Sequence, residues 1–442
     1  MSAIEPSSMT VENGAVREQR ALYAKVAWRI MPVLILCYFF AYLDRVNIGY
    51  AKLQMLGDLG MSEAAYGLGA GLFFIGYLLF EVPSNLLMTR IGARRTICRI
   101  MVLWGLISIA FAFIDRPWQF YLLRVLLGAA EAGFYPGIIL FLTYWFPSHA
   151  RGKMTAIFFA AVPISGVLGG PVSGMIIERL HGAVGTHGWQ WLFILEGIPS
   201  VLVGLCIPFI LTDKPSQATW LSADEKERIS ADLEAEHRFK ETVELKGTSV
   251  GGVFAKGMVW YLIAICLCQT LALNGIAFWL PTLIKSLGVS GAFEIGMLSA
   301  IPYLAAAISL VVFGRSADCR MERKWHTAIP FLMVTAGLAA SVHAHGSLPG
   351  ALLLLAVATA GAYTVAGMFW ALPSLFLNGT RMAAAIAFIN SVGGLGGFFG
   401  PSLIGFVKDA TGSTDYGVYF IAATSILGAL LVAFLPRNVV NR

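Results

Sequence analysis

Asp44 and Arg45 stand side by side, with Asn47 close behind, inside an apolar run that begins near Trp28. A charge at the centre of a membrane-spanning helix costs roughly 2.5–3.5 kcal/mol on insertion scales, so such residues face a polar cavity or partners on other helices. A second pair, Arg124 and Glu131, lies in another apolar run. Their spacing is nearly two helical turns, which puts both on one face, about 10 Å apart along the axis. If this pair faces the first, the four form a set with no net formal charge. Such a set suits an anion bound together with protons. Arg45 or Arg124 would hold a carboxylate by charge-assisted, often bidentate hydrogen bonds. The added negative charge would favour a proton on Asp44 and Glu131, so each ligand would help the other to bind. A structural ion-pair network would use the same four residues. No histidine falls centrally in an apolar run, so carboxylates are the expected proton carriers.

The elements that must hold these residues are membrane helices. The 442-residue chain is 57% hydrophobic and 13% charged, against about 25% charged in a soluble protein. Apolar segments long enough to cross a bilayer recur. They predict twelve spans, near 28–52, 65–88, 96–114, 118–144, 151–178, 190–212, 257–284, 294–314, 326–344, 349–374, 381–406 and 416–436. The expected organisation is a tail over 1–27, a six-helix bundle over 28–212, a polar linker over 213–256, a second bundle over 257–436 and a tail over 437–442. Residues 1–27 lack a short apolar core with a cleavage site, so the first span is expected to do the targeting.

Of the 31 Lys and Arg, 24 fall on the side of the termini and linker and five on the other. This predicts cytoplasmic termini and linker. The net charge of +6 follows from that bias and gives no reason to expect a nucleic-acid partner. The linker carries Ser222 followed by Glu225, a capping box that opens a short charged helix. The six cysteines are scattered and form neither a metal cluster nor a disulfide frame.

The halves look like repeats. Gly170-Pro171 recurs as Gly400-Pro401, and Arg151 as Arg381, both at the same offset. The loop Arg90-Ile-Gly92-Ala-Arg94-Arg95 has a counterpart in Gly314-Arg-Ser-Ala-Asp318-Cys-Arg320. Internal symmetry with a site between the halves is typical of secondary transporters.

Twelve spans in two halves, with that first loop, resemble the major facilitator superfamily. The family's loop has an Asp three residues before the Gly; Thr89 stands there in this chain. Within the superfamily, several stretches resemble the anion:cation symporters: Tyr42-Leu-Asp44-Arg45-Val-Asn47-Ile, Gly76-Tyr77-Leu-Leu-Phe-Glu81-Val-Pro83-Ser-Asn85, Arg124-Val-Leu-Leu-Gly-Ala-Ala-Glu131, Trp189-Gln-Trp-Leu-Phe-Ile-Leu-Glu196 and Phe278-Trp-Leu-Pro281. The resemblance covers residues 25 to 436. It implies an all-α membrane fold, no enzyme activity, and proton-coupled symport of a small organic mono- or dicarboxylate such as an aromatic acid, tartrate or a sugar acid. It also implies no cofactor, protons as the coupling ion, a monomer as the functional unit, and a bacterial-type inner membrane.

On that reading Asp44 and Glu131 couple protons. Arg45, Arg124, Tyr42, Tyr77, Gln269, Trp370 and Asn390 bind substrate. Arg94, Arg95, Arg151, Asp318 and Arg381 gate the conformational change. Glu81 and Glu196 read as structural. Asn274, Tyr303, Tyr363 and Ser374 are weaker candidates for the second half's wall. An exchanger or uniporter, an efflux carrier and a nutrient sensor are the alternatives.

Overall fold

In the computed structural model, residues 6–244, 257–344, 346–376 and 380–436 are described, and among them the regular structure is helical. Twelve helices are long and apolar enough to cross a membrane: Arg17–Asp58, Glu63–Ile91, Ala93–Phe113, Pro117–Thr143, Ala150–Arg179, Gly188–Ile210, Gly257–Ser286, Ala292–Arg320, Lys324–His343, Leu348–Phe369, Ala385–Thr411 and Asp415–Ala433. They are spans one to twelve below.

Spans four, five, ten and eleven are interrupted. Span four divides into Pro117–Glu131 and Phe134–Thr143. Gly133 between them has φ of +84°, and a Cβ there would meet Ser84 at 2.7 Å; glycine alone fits this turn readily. Span five breaks at Ala160, span ten ends at Trp370, and span eleven breaks after Gly393. Interrupted helices at matching places in the two halves mark the binding region of many transporters.

The two groups of six spans meet by spans five with eight, two with eleven, and one with seven. Small residues make this approach possible. A Cβ on Gly296 would lie 2.2 Å from the Gly170 carbonyl oxygen, and one on Gly67 would lie 2.5 Å from that of Pro401. The glycines of span five at Gly166, Gly170 and Gly174 all face span eight.

The linker helix, Ala223–Glu244, carries the expected capping box. Ser222 N donates to Glu225 at 2.9 Å, and Glu225 N donates to Ser222 Oγ at 3.2 Å. Its described contacts are with the first half. Tyr23 Oη donates to Asp232 at 2.7 Å, and Lys25 pairs with Glu225 at 2.8 Å. The N-terminal end of span one and the linker thus lie at the same end of the molecule.

Candidate functional site

A cavity of about 160 Å³ lies between the halves. The first half lines it with Tyr38, Tyr42, Arg45, Phe73, Phe74, Tyr77, Leu78, Glu81, Tyr135, Phe159 and Val162. The second half supplies Gln269, Thr270, Leu273, Asn274, Tyr363, Ala366, Trp370, Asn390, Ser391 and Gly394. Of the seven residues expected to bind substrate, six line it; Arg124 does not. Tyr42 and Tyr363 join the halves through a hydrogen bond between their hydroxyls at 2.5 Å.

Arg45 is the one cationic side chain among the described residues lining the cavity. Its guanidinium pairs with Glu131 through Nη2 and lies 5.2 Å over the Phe73 ring. Its Nε is buried without a partner. Glu131 reaches Arg45 from the last residue of the first segment of span four, next to the Gly133 turn.

The expected four-member set does not form. Asp44 turns away from Arg45 and from the cavity, into the interior of the first half. Its carboxylate accepts from Trp104 Nε1 at 2.7 Å, Ser108 Oγ at 2.9 Å and Ser200 Oγ at 2.7 Å. The reason is helical: neighbours in sequence point about 100° apart and do not share a face. Arg124 is also placed otherwise than expected. Its Nε donates to the Gly69 carbonyl at 3.2 Å and its Nη2 to that of Ala70 at 2.9 Å. Its guanidinium lies between the rings of Phe73 and Phe278, at 5.0 and 5.6 Å.

Glu81, read from the sequence as structural, belongs to the cavity wall. Its carboxylate accepts from Asn390 Nδ2 at 2.9 Å and from Ser391 Oγ at 3.3 Å, across the two halves. An acid within a span was the available signal; its partners come from span eleven, which no local pattern places beside it. Glu196 lies outside the cavity lining, accepting from Ser173 Oγ at 2.8 Å, with its Oε2 buried without a partner among the described residues.

Of the residues expected to gate, Arg94, Arg95, Arg151 and Asp318 sit outside the cavity. Arg94 N donates to Asp213 at 2.8 Å, and its Nη1 to the Pro208 carbonyl at 3.2 Å. Asp213, just beyond span six, thus caps the start of span three. Arg151 pairs with Glu236 of the linker helix at 3.2 Å. Arg95 and Asp318 are exposed. Among the described residues no ion pair joins these groups to the opposite half. The side chains of Arg381 and Ser374 lie outside the described residues.

This architecture is that of a helical membrane transporter. The chain belongs to the Major Facilitator Superfamily, which matches over residues 34–401. It is a transporter, not an enzyme, and the family needs no cofactor. A Pseudomonas putida protein provisionally named metabolite transport protein NicT is 44% identical over 436 residues, covering 99% of both chains. An Agrobacterium vitis protein provisionally named a tartrate transporter is 43% identical over 433 residues, covering 97% of this chain and 94% of its own. The Escherichia coli xylose transporter XylE, in a partially occluded inward-open conformation, superposes with a TM-score of 0.72 at 16% identity over 92% of this chain and 99% of that one. The two sequence relatives are consistent with the motif resemblance to organic-anion carriers of the anion:cation symporter type, and the solved structure shares the fold.

Proposed function

We propose that the protein is a proton-coupled symporter of a small organic mono- or dicarboxylate, working by alternating access in a bacterial inner membrane. The observation that carries this reading is Arg45. It stands on the cavity wall with one guanidinium edge held by Glu131 and a buried Nε without a partner. A substrate carboxylate on that fork forms charge-assisted hydrogen bonds and competes with Glu131. Displaced, Glu131 would be an uncompensated buried charge, a loss of several kcal/mol. A proton on Glu131 removes that cost, so carboxylate and proton enter together. Asp44 acts on this pair through span one: its donors come from spans three and six, and its own helix carries Arg45.

The second half supplies amides and rings from Gln269, Asn274, Asn390 and Trp370, which orient a ligand without adding charge. The bundles over 28–212 and 257–436 rock about the packed faces of spans five with eight and two with eleven. The termini and linker face the cytoplasm; a cysteine tag within 213–256 that labels from outside intact cells would reverse that orientation.

Uptake into proteoliposomes under an imposed pH gradient tests the function, with labelled tartrate, phthalate, galactonate and hydroxyphenylacetate as probes. At least one accumulates above its external concentration, and collapsing the gradient stops the accumulation. Binding of a neutral ester that survives Arg45→Ala would overturn the reading.

A further inference from the structure

The cavity has two poles of opposite sign. Arg45 sits over Phe73. Glu81 lies eight residues along the same helix from Phe73, a rise of about 12 Å. Glu81 is 7% exposed, and its described partners are the amide of Asn390 and the hydroxyl of Ser391. Neither neutralises a carboxylate, and no cation among the described residues pairs with it. An ionised carboxylate offers about four acceptor positions; two are taken.

We infer that Glu81 selects the far end of the substrate: the protein takes monocarboxylates that carry a hydroxyl or N–H donor opposite the carboxylate, and disfavours dicarboxylates. This rests on the symport reading of the same cavity and narrows it. A ligand carboxylate occupies Arg45. A donor at its other end fills a vacant acceptor position on Glu81, whereas a second carboxylate there faces Glu81, and two carboxylates sharing one site do not both stay ionised. Arg45 and Glu81 line the same cavity of about 160 Å³, so a ligand that reaches both is a small acid such as a sugar acid or a ring acid with a para donor. Selection by an unfavourable contact against the wrong ligand is a common route to specificity.

The test uses the full-length protein in detergent, with binding read by thermal shift and by competition. The probes are three pairs of acids, each differing only at the far end: threonate and tartrate, galactonate and galactarate, 4-hydroxyphenylacetate and 4-carboxyphenylacetate. The wild type prefers the monocarboxylate of a bound pair by at least about tenfold. E81Q keeps an acceptor oxygen for Asn390 and is checked for folding by size exclusion; it reduces the preference to within about threefold. Equal or tighter wild-type binding of the dicarboxylate overturns the inference, whether or not E81Q folds, and leaves the symport reading standing. An unchanged preference in E81Q also overturns it and makes Glu81 only a tie between halves. Binding of none of the six acids overturns the organic-anion reading, and this inference falls with it.

Discussion

The two halves of the transporter have similar helices but dissimilar interiors. The first buries Asp44, Glu81, Arg124, Glu131 and Glu196, while the cavity face of the second carries neutral amides, hydroxyls and rings. Buried charge is tolerated only where partners compensate it. The first half provides them: Arg45 for Glu131, three donors for Asp44, and backbone carbonyls and ring faces for Arg124. On the proposed reading the difference separates two tasks. Asp44 and Glu131, the expected proton carriers, have their partners within the first half, whereas Glu81 is held from the second. The amides and rings of the second half would recognise the shape of the substrate.

The sharpest way to break this division is to exchange effects between the halves. Arg45→Ala removes the carboxylate fork and leaves Glu131 buried and unpaired, a loss of about 3–5 kcal/mol. Uptake of whichever labelled acid is carried should fall at least about a hundredfold, to the level of empty liposomes. Glu131→Gln should abolish accumulation under a pH gradient while counterflow exchange persists, because the amide resembles the protonated acid. Asp44→Asn should weaken accumulation less completely, since its amide oxygen can still accept from Trp104 Nε1 and the hydroxyl of Ser108 can turn to accept from its NH2 group. If Glu131→Gln and Asp44→Asn both still accumulate substrate, neither residue carries the proton.

Gln269→Ala and Asn390→Ala come next in size. Each should raise KM by about tenfold, the worth of a hydrogen bond or two to substrate, and leave the pH-driven accumulation ratio unchanged. A second-half variant that loses accumulation but keeps exchange would erase the distinction between the halves. Arg124→Lys belongs with these in magnitude but not in kind. Lysine does not reproduce a planar group that donates to two carbonyls while lying between two rings. Its effect should appear as lowered thermal stability together with weakened binding.

The spans were legible in the sequence because bilayer crossing needs long apolar runs, and the capping box at Ser222 because its two bonds are local. Part of the placement was legible by residue type: Arg45 and Glu131 are together, and Tyr42, Tyr77, Gln269, Trp370 and Asn390 line one cavity. Pairing was not legible. Asp44 and Arg45 are adjacent in sequence, but a helix sends adjacent side chains to different neighbours. Glu131 meets Arg45 from a helix end made by the turn at Gly133. Glu81 enters the cavity only through span eleven, a contact separated by 309 positions along the chain.

The smallest expected effect concerns the attachment of the linker helix to the charged half. Glu225 is held below its ordinary carboxylate value, first by the hydrogen bond from Lys25 and then by the Ser222 backbone. A lowered acid adds stability above its unfolded value near pH 4.3, and that contribution is lost as pH falls through the folded value. Side-chain exposures of 48% for Lys25 and 26% for Glu225 allow solvent to screen the pair, and such pairs contribute about 0–1 kcal/mol. Glu225→Gln should therefore lower the melting temperature by no more than about 2 °C at pH 7 and low salt. The difference should shrink as pH falls below the unfolded value near 4.3 and vanish once it is below the lowered folded value, where wild-type Glu225 is also protonated. Transport should stay at the wild-type rate, because the contact lies within the first half's own assembly and spans no moving interface. A loss of uptake in this variant, with the melting temperature unchanged, would mean that the linker helix controls the motion between the halves and does not simply ride on the first.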